Sequence, residues 1–502
     1  MSAEPVVLSA SVAAPAADAS SAAPAESAAP AGFAAPAGFA APAGFAAPAE
    51  PAAPAGSAAS AEHRLAWLDA LRAVAALLVV YEHLSHFVFH QLRSVVEPWF
   101  AAGYAGISLF FLISGYIIPA SLERKASLRG FWVGRVFRLY PLFVFVVGAV
   151  VILQALGLYH FDPYLLTHRA TGALGQVSML PALLGIPDML PVTWTLAFEM
   201  AFYLLVAALF AVGLSRASAV VALLLAGTAL VLGGSMPVLL LSHSGPATRD
   251  SVVLATIGLV AVVAAALTGR RWLAFVGAVG GGLLAAMLLL TNQAPVHHGD
   301  GLLLPALMFT GTTIYRAEQR QISRWWVVLV PVVVLAGWLT QAYREVGQFP
   351  VYVLITLAVV GALFATGMAL RHRRIPAVMA WLGLVSYSVY LLHRAVFDTL
   401  EPLLNQHRAG PLQAPWYFQA LVGALLLGLV LALSALTYRC VEAPGQRLGR
   451  RVARWLDARF PARSGVPGGI AGQPLHLVPL QRRPDPGPGG LDIGGGDRRG
   501  VQ

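Results

Sequence analysis

About twelve apolar stretches, each long enough to cross a bilayer as a helix of about 20 residues, follow one another along this chain. They lie near 65–90, 101–120, 138–157, 194–213, 217–241, 251–268, 272–291, 301–316, 325–341, 350–370, 378–398 and 416–438. Of the 502 residues, 58% are hydrophobic and 11% charged, whereas a soluble domain carries about a quarter charged residues. That balance excludes a cytosolic globular enzyme, a disordered regulator and a coiled coil. No long run alternates in the two-residue rhythm of a strand, so a transmembrane β-barrel is excluded as well. The expected fold is all-α: a polytopic transmembrane helical bundle of about 10–12 spans with disordered tails at both ends.

The tails bound three regions. Residues 1–62 are rich in Ala, Pro, Gly and Ser, with APAGFA repeated three times through 29–46. Such a stretch buries no core and is expected to be disordered. It is no signal peptide, because its first basic residue is Arg64. Residues 63–448 hold the membrane domain, and 449–502 are basic and then Gly/Pro-rich, a second disordered tail. The single cysteine, Cys440, excludes an intrachain disulfide, and no metal centre is expected. A net charge of +10 raises the question of nucleic acid, but the arginines are spread over many short loops, so no nucleic-acid partner is expected. With a cytoplasmic N-terminus, Arg64, Arg124, Lys125, Arg129, Arg135, Arg138, Arg216, Arg270, Arg271, Arg316, Arg320, Arg324, Arg371, Arg373 and Arg374 all fall inside. Only Arg93, Arg169, Arg249, Arg344, Arg394 and Arg408 fall outside. The positive-inside rule then places both termini in the cytoplasm of a cell whose inner (plasma) membrane holds the chain.

Ionisable side chains within spans are costly and point to function. Arg72 and His83 stand eleven residues apart on the first span, about three helical turns, so they share one face. His86 and His90 continue that stripe and are read as marking its wet outer end. The second span carries Ser114 and Tyr116 among small and aromatic residues. Arg135 and Arg138 follow it, three residues apart, and on a helix start at the cytoplasmic surface two forked donors suit a phosphate or pyrophosphate. Glu199 lies a few residues into the fourth span, and Tyr387 and His393 lie in the eleventh.

Taken in order, Arg72 and His83, FFLISG at 110–115, RVFRLYP at 135–141, WTLAFEMAFY at 194–203 and SYSVYLLH at 386–393 resemble the acyltransferase-3 family of integral membrane O-acyltransferases. The resemblance runs over about 64–448. It implies a transferase that moves acetyl or another short acyl group from an acyl-CoA co-substrate to a hydroxyl of a glycan, glycolipid or secondary metabolite, as in O-acetylation during polysaccharide biosynthesis. No bound cofactor is implied. The chain departs from the family pattern in having Ala73 where glycine is usual after the arginine, and no hydrolase-like domain is expected in the low-complexity residues that follow the bundle.

Counting about 1.5 Å per residue from the cytoplasmic side sorts these groups into two layers. Arg135, Arg138, Arg72 and Ser114 form the inner layer; His83, Glu199 and His393 form the outer one. In this scheme the two arginines of 135–138 hold the donor phosphates, and the thioester arm passes Ser114 and Arg72. Tyr116, Tyr387 and His393 complete the expected substrate contacts. His83 is the expected general base, oriented by Glu199, with Arg72 offsetting negative charge. Direct transfer and a covalent acyl-histidine both satisfy these residues. A polytopic transporter or flippase that uses the same Arg/His/Glu groups as an intramembrane relay is the alternative.

Overall fold

The computed structural model describes residues 55–293, 300–405 and 415–460, and these are helical throughout apart from short connections. The expected disorder of 1–54 and 461–502 lies outside them. The described residues from Gly56 onward form one compact unit. The first helix, α1, spans Ala55–Phe87 and so begins inside the stretch read as a tail.

After the short α2 (His90–Val96), α3 (Ala102–Lys125) and α4 (Leu128–Ala155) form an up-and-down pair. Ser127 starts α4 by accepting a hydrogen bond from Gly130 N at 3.1 Å, which satisfies one of the amides a helix start leaves unpaired. Three short helices follow, α5 (Pro163–Thr167), α6 (Arg169–Ser178) and α7 (Pro181–Leu184), and then α8 (Trp194–Ala211). The bundle continues through α9 (Ser218–Leu232), α10 (Gly245–Leu267), α11 (Arg271–Thr291) and α12 (Asp300–Glu318). It closes with α13 (Trp326–Val346), α14 (Val351–Ala369), α15 (Ala377–Leu384), α16 (Ser386–Asn405), α17 (Trp416–Thr437) and α18 (Ala443–Arg459).

Among the described residues, nine helices are long and apolar enough to cross a membrane. The remaining long helices, α1, α12 and α16, each carry several ionisable residues. They sit among the others, since a polar helix inside a bilayer needs protein neighbours. One end of the bundle gathers Arg124, Lys125, Arg129, Arg270, Arg271, Arg316 and Arg371 and is called the basic end below; the opposite end is the far end.

Helix α3 packs against α12, and α8 against α11. Gly115 and Gly311 make the first of these contacts possible. A Cβ on Gly115 would lie 1.7 Å from the Met308 carbonyl oxygen, and one on Gly311 would lie 2.2 Å from that of Leu112. Thr312 Oγ1 donates to the Gly115 carbonyl at 2.8 Å across the same crossing. Small residues substitute here for a hydrophobic driving force that lipid does not supply. At the basic end, Arg316 pairs with Glu123. Arg129 reaches the Leu456 and Phe460 carbonyls and Asp457, at 3.1, 2.8 and 3.1 Å, and clasps α18 onto α4. Helical order therefore runs past residue 448, where the sequence suggested a tail, to Arg459.

The segment between α4 and α8 does not lie flat on the far end. Met179, Leu180, Leu183 and Leu184 are at most 1% exposed. Tyr390 donates to the Val192 carbonyl at 2.8 Å, and it lies about 22 Å along α16 from Asn405. The start of α8 is thus sunk well below the far end, and that depth positions the site.

Candidate active site

Arg72, Ser114, Arg138, Glu199, Tyr387 and Tyr390 line one cleft of about 80 Å³ within the bundle. Five of these six are residues singled out from the sequence. Arg72 Nη1 pairs with Asp69 at 3.1 Å, and Arg138 stands close enough for the two guanidinium groups to repel. Glu199 accepts a hydrogen bond from Tyr203 on the same helix. Tyr387 donates to the Leu139 carbonyl at 3.0 Å, which ties α16 to α4. Behind Tyr387, Ser388 Oγ donates to the buried Glu442 at 2.9 Å. Glu442 ends a π-helical turn, Tyr438–Glu442, that joins α17 to α18; such an insertion re-aims side chains that a regular helix would place elsewhere.

The roof of the cleft is Tyr390. Its hydroxyl donates to the Val192 carbonyl and meets Thr195 Oγ1 at 2.7 Å, while its ring abuts Phe110 edge-on at 5.9 Å. One turn above stands His393, ring centroids 6.0 Å apart, and His393 lies 5.1 Å from His83. The two imidazoles therefore form a pair directly over the cleft, and neither lines it.

Their protonation follows from their partners. Arg394 Nη1 is 3.3 Å from His83 Nδ1. A guanidinium only donates, so Nδ1 is the bare nitrogen of His83 and Nε2 carries the proton. His393 Nδ1 is 3.0 Å from the Val389 carbonyl. A carbonyl only accepts, so Nδ1 of His393 is protonated and Nε2 holds the lone pair. That Nε2 is buried and has no hydrogen-bond partner among the described residues. Arg394 in turn pairs with Asp398 at 2.8 Å, and Tyr159 reaches the same carboxylate at 3.5 Å.

The placement departs from the sequence reading in four respects. Glu199 belongs with Arg72, Ser114 and Arg138, not with His83, because the buried segment before α8 lowers its helix into the bundle. Its hydrogen-bond partner is Tyr203. Arg135 and Arg138 do not sit at a helix start: α4 begins at Leu128, which carries them about 10 and 15 Å inside. They also diverge. Arg138 enters the cleft, while Arg135 lies over the rings of Phe131 and Tyr203 at 5.5 and 5.3 Å. Tyr116 faces a different cluster, donating at 2.5 Å to Glu318, which pairs with Arg371.

Arg394, Asp398, Tyr390 and Thr195 escaped notice in the sequence. Arg394 read as one more loop arginine. The signals present were the i,i+4 spacing of Arg394 and Asp398 and the i,i+3 spacing of Tyr390 and His393, each of which puts a pair on one helical face. His86 is exposed and outside the pair.

Outside these features, Asp188 is half-buried in the connection before α8 and accepts from Thr193 Oγ1 at 2.8 Å. Burial pushes its carboxyl up to about 7, against the smaller opposing effect of that hydrogen bond.

The chain is similar to the peptidoglycan O-acetyltransferase OatA of Listeria monocytogenes, 29% identical over 157 residues, covering 28% of this chain and 23% of that protein. It is also similar to nodulation protein 10 of Rhizobium leguminosarum, 30% identical over 155 residues, covering 27% of this chain and 41% of that protein. The matched part thus spans less than half the length of these curated relatives. No solved structure matches the chain. The model of the Acyl_transf_3 family, an acyltransferase domain, matches residues 65–438 and takes in every residue of the cleft and of the imidazole pair above it, so the chain belongs to the acyltransferase-3 family.

Proposed function

We propose that this protein is an O-acyltransferase of the plasma membrane that passes a short acyl group from acyl-CoA to a hydroxyl on a glycan, glycolipid or secondary metabolite. The observation that carries this reading is the stacking of an Arg72/Arg138/Glu199 cleft directly beneath the His83–His393 pair. The family supports it, and so does the name of the Listeria relative, which describes acetylation of a glycan. In this reading the basic end, where both described termini of the bundle lie, faces the cytoplasm.

The donor enters from the basic end. Arg138 and Arg72 hold its anionic portion, and the acyl end rises toward Tyr390. At about 80 Å³ the cleft has room for about three water molecules at the volume each takes in the liquid, which suits a short acyl group. The acceptor hydroxyl approaches His83 and replaces Arg394 as the donor to Nδ1, since both use the same lone pair. Asp398 keeps the displaced guanidinium paired. As the hydroxyl oxygen attacks the thioester carbonyl, its proton passes to the imidazole. The C–S bond then breaks, and the departing CoA thiolate takes the proton up. Arg72 offsets the charge that develops on the donor.

The test uses the full chain in proteoliposomes with acetyl-CoA and soluble cell-wall glycan fragments as trial acceptors. Acceptor-dependent release of free thiol is expected. His83→Ala should lower it by about 10²-fold or more, the usual contribution of a general base, with an unchanged elution profile. Movement of glycan across the membrane without thiol release would favour the transporter or flippase reading, in which the same groups form a relay. Near-normal transfer by the alanine variant would remove His83 from the role of base.

A further inference from the structure

We propose that a second site, separate from the cleft, binds one anionic phospholipid from the leaflet at the basic end. A groove of about 1040 Å³ opens between α12, α13 and α14, on the side of α3 away from the cleft. Its walls are apolar: Ile314, Val327, Pro331, Leu335, Leu357 and Phe364 are among them. Its mouth is not. Arg320, Arg324, Arg371 and His372 line it at the basic end, beside Glu318. That carboxylate is already neutralised by Arg371 and hydrogen bonded by Tyr116. Arg320 and Arg324 form no ion pair among the described residues, so the mouth carries excess positive charge.

Three features fit a lipid rather than a gap left by loose packing. The groove runs from Arg371 to Leu354, about 25 Å along α14, which exceeds half of a bilayer core of about 30 Å and accepts an extended acyl chain. Along it α14 presents Ala358, Gly361 and Ala365, and a Cβ added to Gly361 would meet nothing within 4 Å. Helix α14 is also the least buried of the nine candidate spans, with 17% of its apolar window covered, so the groove is open to the bilayer.

The mouth is built at some conformational cost. Arg320 ends α12 in the left-handed region at φ 56°, with Gln321 N donating to the Arg316 carbonyl at 2.9 Å. Glycine takes that position most easily; an arginine there puts a guanidinium at the mouth of the groove. Basic side chains near a membrane surface each favour anionic lipid by a similar small increment, and the acyl chain then supplies apolar burial along the groove.

The experiment uses the full chain in neutral detergent, delipidated and then titrated with dioleoylphosphatidylglycerol or dioleoylphosphatidylcholine, with bound lipid counted by native mass spectrometry. About one phosphatidylglycerol per chain should bind, at least about tenfold more tightly than phosphatidylcholine. Arg320→Ala with Arg324→Ala should weaken phosphatidylglycerol by about tenfold or more and erase the headgroup preference. Gly361→Phe, which fills the groove, should weaken both lipids while the elution profile stays that of the parent. Millimolar inorganic phosphate should fail to displace the lipid. Equal binding of the two lipids by the parent chain, retention unchanged in either variant, or displacement by phosphate alone would overturn the proposal.

Discussion

Arg135 and Arg138 look interchangeable in the sequence, and the structure separates them in a way that kinetics will reveal. Arg138 lines the cleft, so in the proposed reaction it donates to an anionic group of the donor. A hydrogen bond between charged partners contributes about 1.5–3 kcal/mol. At about 1.4 kcal/mol per decade, Arg138→Ala should raise the donor KM by about 10- to 150-fold. Arg138→Lys should recover only part of this, since it keeps the charge and loses the forked donors. Arg135 instead rests on the faces of Phe131 and Tyr203. Removing that partly buried cation–π contact costs about 1–2 kcal/mol, about 5- to 30-fold in rate or KM. Its effect should pass through Tyr203 to Glu199 and fall on kcat as much as on KM. The assay is thiol release in proteoliposomes with acyl-CoA varied at saturating acceptor. Equal KM effects from the two alanine variants would show that both arginines meet the donor and that their divergence in the structure has no functional meaning. No effect from either would remove donor binding from the cleft.

Two further outcomes concern stability. Gly115→Ala places a methyl 1.7 Å from the Met308 carbonyl and separates α3 from α12. A loss of about 2 kcal/mol or more, from overpacking and the strained Thr312 hydrogen bond, should appear as a lower Tm in detergent. Asp188 should make stability depend on pH. Its carboxyl rises from 3.8 to about 7 on folding, so between those values the folded chain binds a proton that the unfolded chain does not. The stabilisation is complete below the unfolded value and is lost as pH rises toward 7, on the order of 3 kcal/mol between pH 5 and pH 8. Thermal melts of the parent should weaken over that range, and Asp188→Asn should flatten the profile.

How much of the protein was legible beforehand differs from residue to residue. The succession of apolar stretches dictated a helical membrane bundle, because backbone groups inside a bilayer must be satisfied within each segment. The same logic flagged Arg72, His83 and Glu199 as groups that lipid does not tolerate, while Arg138 read as lying at the surface. The spacing of the first-span pair implied a shared face, since it depends only on helical pitch. Depth was another matter. Counting residues from an assumed surface put Glu199 beside His83, and that count failed because the connection before α8 folds into the bundle and lowers the helix. Nothing local in WTLAFEMAFY records how far its helix is sunk; Val192, Thr195 and Tyr390 fix that by contacts across almost 200 residues.

The amino-acid order alone thus determined what each stretch is and which side chains are too polar for the place they occupy, for these properties belong to single segments and their solvent. Which of those side chains meet was decided only by packing. Glycine at 115 sets how near two helices come, a π-helical turn sets where Glu442 points, and two imidazoles from opposite ends of the chain become neighbours because α1 and α16 lie side by side. Contacts of that kind depend on the shapes of several helices at once, and so they exist nowhere but in the folded bundle.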